Sequence, residues 1–235
     1  MHKLIEKALE MFKQLPRKGL KLNNNLYNCI IRGLFSVGRC SEALELFDEM
    51  KIVGIDYDFY TYGIILDGLL INGKFQDAVI FYHEVDSKGL VHHVSFYTTF
   101  VHALCNNNQL DTARDVFNSL SLKGLYPDVV IYNVMVKGLC EEGLFQEVKD
   151  LLEKMEKTGV HPDIRTYNII IRGCLKHYDS IDYLDLLTRI AERNIALRSS
   201  TFFQVLKQLQ GSDANIERKS LFQKLISGDN RFLMA

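Results

Sequence analysis

The sequence predicts an all-α protein, a right-handed α-solenoid of stacked antiparallel helix hairpins built from 35-residue repeats. Three observations predict it. Four residue series recur at a period of 35 in one register, the apolar spacing between the periodic stops is that of helices, and the 235 residues contain only three prolines, too few for an all-β chain with many tight turns.

The series are explicit. Gly19, Gly54, Gly89, Gly124 and Gly159 stand 35 apart and are continued by Asn194, while Tyr27, Tyr62, Tyr97, Tyr132 and Tyr167 are continued by Phe202. Ala8, Ala43, Ala78 and Ala113 lead to Val148 and Tyr183, and a fourth series runs Gly38, Gly73, Asn108 and Gly143. Helices commonly end on a left-handed residue, which Gly adopts freely and Asn next best, so each repeat holds two helices with a stop after each. Ile30, Ile31 and Leu34 then form the apolar face of a first helix, and Ala43, Leu46, Phe47 and Met50 that of a second. One hairpin cannot bury both faces alone, and stacking the hairpins makes one continuous core.

In chain order, residues 1–23 supply half a repeat, a second helix with Leu4, Ala8, Met11 and Leu15 on one face. Five full repeats follow at 24–58, 59–93, 94–128, 129–163 and 164–198, the last degenerate at Tyr178, Tyr183 and Asn194. Residues 199–210 read as one degenerate first helix. The solenoid therefore spans 1–210, and 211–235 is a C-terminal capping segment, since terminal repeats need an atypical outer face.

Composition excludes several functions. A net charge of −1 gives no global positive field, and the longest apolar stretches fall far short of the roughly 20 residues of a membrane span. Five cysteines form no CxxC pair and suit no closed disulfide set; Cys105 and Cys140 fill the same slot of successive first helices as small buried residues. Glu6 and Glu10 stand where a transit peptide avoids acids, and no cleavable signal is visible. Gly68 to Lys74 satisfies GxxxxGK, but Phe75 replaces the magnesium-binding hydroxyl and both glycines already belong to the repeat. His92, His93 and His102 lack a Cys or carboxylate to complete a metal site. No constellation supports an enzyme, a metal, a cofactor or a small-molecule substrate.

At Tyr132–Asn133, Gly138–Leu139–Cys140, Leu151–Leu152 through Met155, and Gly159–Val160–His161–Pro162–Asp163, the repeat resembles the pentatricopeptide repeat, whose pattern recurs in register over residues 1–209. The resemblance is to the uninterrupted 35-residue class and implies a non-catalytic reader of single-stranded RNA in a mitochondrion or chloroplast, acting on RNA processing, stability, splicing or translation. Stacked repeats present one side-chain position per repeat along a concave surface, so one repeat can face one base.

In the family resembled, the base is read by the residue after the tyrosine and by the last residue of the repeat. Carried over, the pairs are Asn28 with Asp58, Gly63 with His93, Thr98 with Asp128, Asn133 with Asp163, and Asn168 with Arg198. The resemblance implies uracil at the Asn–Asp pairs and guanine at Thr–Asp, a tract of roughly U-?-G-U-? from the amino-terminal repeat onward. An amide offers a donor and an acceptor side by side, and an Asp can orient it. The base-sandwiching slot, two residues before the tyrosine, holds Asn25, Tyr60, Ser95, Val130 and Arg165, of which only Val130 is the usual aliphatic type. Phosphate contacts fall to Arg32, Lys137, Arg172 and Lys176 on first helices, with Asp67 and Glu141 at equivalent positions, so binding is expected to be weak and salt-sensitive.

Two alternatives stay open. Asp58, Asp128 and Asp163 each precede a helix, where a carboxylate is favoured as a cap, although capping does not explain Asn28, Asn133 and Asn168. The second is a scaffold for protein partners, holding a peptide in the same groove without reading RNA.

Overall fold

The computed structural model describes residues 2–177. The rest of the fifth repeat with Arg198, the degenerate helix 199–210 and the capping segment 211–235 lie outside the described residues. Among the described residues there are ten α-helices and no strand: α1 (His2–Gln14), α2 (Asn24–Ser36), α3 (Cys40–Ile52), α4 (Phe59–Ile71), α5 (Phe75–Ser87), α6 (Val94–Asn106), α7 (Leu110–Leu122), α8 (Val129–Glu141), α9 (Phe145–Lys157) and α10 (Ile164–Lys176). A single 3-10 turn, Pro16–Lys18, follows α1. The fold is an all-α solenoid of helical hairpins, and none of the described helices is long and apolar enough to cross a membrane.

The hairpins start and stop for local reasons. Asp58, Asp128 and Asp163 cap α4, α8 and α10 through their carboxylates, Asn23 caps α2 through its amide oxygen, and a ring nitrogen of His93 caps α6. At the other ends the chain turns through left-handed residues. Gly38 has φ 79° and Gly54 φ 74°, and Asn108, which replaces Gly in the Gly38 series, has φ 57°. It is the one described non-glycine residue in that region.

The chain divides into two compact units, residues up to 107 together with 115–126, and residues 108–114 together with those from 127 onward. In the first, α2 packs against α1, α3 and α4, and α4 against α5 and α6. Ala43 and Ala78 are fully buried between the helices, and Tyr82 stacks on Phe100 with ring centroids 3.8 Å apart. Close approach of first helices depends on missing side chains. A Cβ on Gly68 would overlap the Phe35 ring, and one on Gly33 would come within 2.6 Å of Ile5 Cδ1. Gly68 is thus a packing residue inside α4 and no part of a phosphate loop.

The second unit repeats the arrangement, with α8 packed on α9 and α10, and Val148 fully buried where other repeats carry Ala. A Cβ on Gly173 would overlap Cys140, whose side chain fills the space that glycine leaves. Cys140 and Cys174 are buried, but Cys105 is partly exposed, so its slot is not uniformly interior.

The repeated tyrosines are core residues, and the hydroxyls of three of them are satisfied locally. Tyr27 donates to Glu49 at 2.8 Å, Tyr97 to Asp86 at 2.9 Å, and Tyr132 lies 3.1 Å from the Thr158 hydroxyl. Burial pushes the Tyr27 and Tyr97 phenols far above their ordinary range, and the carboxylate partners add to the shift.

One expectation is corrected. The buried face of α1 is Ile5, Leu9 and Phe12, whereas Leu4 and Met11 are 72% and 59% exposed and Ala8 and Leu15 half-buried. Two apolar stripes run side by side on this helix. The neighbour decides between them, because Phe12 meets Tyr27 edge-on at 4.9 Å and Ile5 fills the notch at Gly33.

Candidate nucleic-acid interface

The residues singled out by the sequence occupy two depths on the first helices. The second residue of each, Asn25, Tyr60, Ser95, Val130 and Arg165, is exposed, Tyr60 by 60% and Val130 by 47%. Three residues on lies the same helical face one turn deeper. There Asn28, Asn133 and Asn168 are only 5–8% exposed, Thr98 is half-buried, and Gly63 adds no side chain.

Asp163 links helix start and reading position. Its Oδ1 accepts from Thr166 N–H at 2.8 Å and from the Thr166 hydroxyl at 2.9 Å, and the Asp163 N–H donates to the same hydroxyl at 3.0 Å, closing a capping box. The same Oδ1 accepts a long hydrogen bond from Asn133 Nδ2 at 3.4 Å. Burial pushes the Asp163 carboxyl up, but the Thr166 N–H and hydroxyl, Asn133 and the Arg165 N–H outweigh it, and the group lies below its ordinary range. An ionised carboxylate only accepts, so it fixes which end of the Asn133 amide faces it. Asn133 Oδ1, the other end of the amide, is buried and accepts no hydrogen bond from any described residue.

Asn28 repeats the pattern through an intermediary. Its Nδ2 donates to Asn24 Oδ1, Asn24 Nδ2 donates to Asp56 O at 2.9 Å, and the Thr61 hydroxyl lies within reach of both Asn24 Oδ1 (3.3 Å) and Asp58 Oδ1 (2.9 Å). Asn28 Oδ1 is again a buried acceptor without a protein donor. Asn168 differs, since its Nδ2 donates to Ile164 O at 2.7 Å.

The remaining pairs are occupied locally. Thr98 donates its hydroxyl to Val94 O at 2.9 Å, and Asp128 accepts from Val130 N and Ile131 N, both at 3.0 Å. His93 lies 2.7 Å from the Ser95 hydroxyl and stacks on Phe59, with centroids 4.5 Å apart and planes 10° from parallel. Among the phosphate candidates Arg32, Arg172 and Lys176 are exposed, while Lys137 is half-buried and 3.6 Å from Glu141.

The slot that holds Arg32, Asp67, Lys137 and Arg172 also holds His102, which the sequence reading did not place there. Arg32, Asp67, His102, Lys137 and Arg172 occupy a single slot at 35-residue spacing, and in the first compact unit Arg32 and His102 both act electrostatically on Asp67. The spacing was the signal that could have found it. Beside Arg32 and Asp67 lies a cavity of about 660 Å³, also lined by Tyr60, Gly63, Ser95 and Thr99.

Stacked helical hairpins with an exposed second residue and a recurring amide one turn below define a helical-repeat protein with a periodic surface. Residues 23–71, 92–140 and 127–176 match the PPR repeat family and residues 60–90 the PPR repeat, and the chain belongs to this pentatricopeptide repeat family. The fold is similar to the pentatricopeptide repeat protein PPR10 from maize, at 21% identity over 95% of this chain and 34% of that one, TM-score 0.58. It is similar to the PPR domain of Arabidopsis thaliana protein-only RNase P 1 (PRORP1) in complex with tRNA, at 17% identity over 80% of this chain and 99% of that one, TM-score 0.63. Nuclear RNase P 2 (PRORP2) of the same plant aligns at 13% identity over 83% of this chain and 43% of that one, TM-score 0.63. The chain spans about a third of the length of the maize protein (34%). No curated protein matches it.

Proposed function

We propose that this chain binds single-stranded RNA with one repeat per base and that it acts without catalysis, in a mitochondrion or chloroplast, on RNA processing, stability, splicing or translation. The observation that carries the reading is the Asn133–Asp163 pair. A buried acceptor without a donor costs about 1–3 kcal/mol, and such acceptors in native proteins call for a partner. Asn133 Oδ1 is one, Asn28 Oδ1 at the same repeat position is another, and each amide is held by its other end. The imide N–H of uracil supplies the missing donor, and the second N–H of Asn133 Nδ2 can meet a uracil carbonyl. The amides lie one helical turn below the exposed Val130 and Asn25, so a base that enters beside those side chains reaches the amide edge-on once its cover moves aside. Solved relatives in complex with an 18-nt psaJ RNA element and with tRNA support the same class of partner. Family membership supports the organellar setting.

Selection from a random single-stranded RNA pool, at low and at moderate salt, tests the proposal. The recovered tract should carry U at the first and fourth repeats and G at the third, each wrong base costing about 1–3 kcal/mol. With four basic candidates the slope of log K on log salt should be no steeper than about −3. Replacing Asn133 and Asp163 together should erase the preference at the fourth repeat alone. A pool without preference at the third and fourth repeats overturns direct readout. It would favour the scaffold reading, with which the net charge of −1 and the capping role of the carboxylates are compatible.

A further inference from the structure

The repeat 59–93 has no side chain in the reading slot, and the cavity described above opens beside it. A Cβ on Gly63 would meet nothing within 4 Å, so the space is present and not an artefact of tight backbone packing. Asp67 lines it from α4 and Arg32 from α2; burial pushes the Asp67 carboxyl up, and Arg32 and His102 of α6 pull it the other way. No hydrogen bond or ion pair joins Asp67 to any described residue. Tyr60 offers an exposed ring at the mouth.

We propose that this cavity takes a guanine base of the bound RNA, read by the Asp67 carboxylate instead of by the pair Gly63 and His93. The inference rests on the RNA-binding reading above and fills the second place in the tract. A carboxylate presents two acceptors side by side and no donor. Only guanine carries two adjacent donors on its pairing edge, the ring N1–H and the exocyclic N2 amine. Adenine and cytosine place an acceptor beside their amine, and uracil flanks its one N–H with two carbonyls, so each sets lone pairs against the carboxylate. Tyr60 supplies a stacking platform of the kind that serves single-stranded bases. Arg32 supplies the cation that keeps a carboxylate tolerable beside a phosphodiester strand, and His102 adds to it when protonated.

The test uses the full chain and short RNAs carrying U-N-G-U, with N as each of the four bases and the tract in both strand directions, read by fluorescence anisotropy at one fixed low salt. The wild type should bind N = G about tenfold more tightly than the other three. Asp67→Asn, which loses no internal hydrogen bond and should keep the wild-type circular dichroism and melting midpoint, should bring the four RNAs within about twofold. Gly63→Asn, whose Cβ meets nothing within 4 Å, puts an amide into the space proposed for the base and should lower the affinity for N = G relative to wild type. Equal wild-type affinity for the four bases, with the uracil preference at the fourth repeat intact, overturns the cavity assignment and leaves the general reading standing. Guanine preference surviving in Asp67→Asn overturns the role of Asp67. Absence of RNA binding under all conditions overturns both readings.

Discussion

Replacing Asp163 separates its two tasks. Asp163→Ala removes the carboxylate that accepts from Thr166 N–H at 2.8 Å and from its hydroxyl at 2.9 Å, and so opens the capping box of α10. Loss of such a cap costs about 1–2 kcal/mol. Asp163→Asn keeps a capping oxygen and loses mainly the charge at the positive helix terminus, about 0.5 kcal/mol. At pH 7 the urea midpoint should therefore fall clearly for Asp163→Ala and little for Asp163→Asn. The pH dependence has a definite sign. The folded carboxyl lies below its ordinary value, so its stabilisation is complete above the unfolded value near ~3.9 and fades as pH falls through the folded one. The gap between wild type and Asp163→Asn should close across that acid window.

The two variants should rank differently in recognition. Asn at 163 can donate as well as accept, so it supports both orientations of the Asn133 amide and unlocks the acceptor that the proposed readout uses. Asp163→Asn should lose uracil discrimination at the fourth repeat, out of a total of about 1–3 kcal/mol, while remaining nearly as stable as wild type. Anisotropy with RNAs differing only at that base measures it. Equal destabilisation by Ala and Asn refutes the capping argument, and undiminished uracil preference in Asp163→Asn refutes the orienting role.

Other outcomes follow from packing. Gly68→Ala forces a methyl against the Phe35 ring and should cost about 1–3 kcal/mol, whereas Gly63→Ala meets nothing and should gain about 0.5–1 kcal/mol from helix propensity; urea midpoints decide both, and a neutral Gly68→Ala would contradict the overlap. Tyr27→Phe leaves the ring but removes the 2.8 Å hydrogen bond to Glu49, so a loss of about 1 kcal/mol is expected in the same assay. Burial pushes the Cys140 thiol up to about 12, with Glu141 adding to the shift, and Cys174 is buried too; at pH 8 iodoacetamide should label exposed Cys29 and spare both in the folded protein, as peptide mass spectrometry would show.

The parts legible in the sequence are those that repetition itself enforces. A left-handed turn needs Gly or Asn, so Gly38, Gly54 and Asn108 mark helix ends without reference to any neighbour. A tyrosine that must fill the same interhelical space in each hairpin marks the first helices equally well. Local periodicity fails where two solutions are locally equal. Leu4, Ala8 and Met11 are as good a stripe as Ile5, Leu9 and Phe12, and only Tyr27 and Gly33 on α2 choose between them. The depth of the Asn amides was likewise hidden. Spacing puts Asn133 and Val130 on one face, but whether the amide stands on the surface or beneath it depends on the neighbouring helices. The slot shared by Arg32 and Asp67 was legible from the spacing, and only His102 was missed in it, because an imidazole stands there where the other repeats carry Arg, Asp or Lys.

Comparison of the repeats separates the residues that hold the stack from those in the proposed reading slots. The repeat 59–93 keeps Tyr62, Gly68, Gly73, Ala78 and Gly89, all of them packing or turn residues, while its slot positions have become Gly63, Asp67 and His93. Helix geometry therefore places no demand on the slot residues beyond a cap, and the cap itself is permissive. Asn23 starts α2, and His93 starts α6 with a 3.3 Å contact to Ser95 N–H. If capping alone determined the last position of a repeat, an amide or an imidazole would serve as well as a carboxylate. What the carboxylate adds is the inability to donate, and in 129–163 that property holds the Asn133 amide with Nδ2 toward Asp163 and Oδ1 without a donor among the described residues.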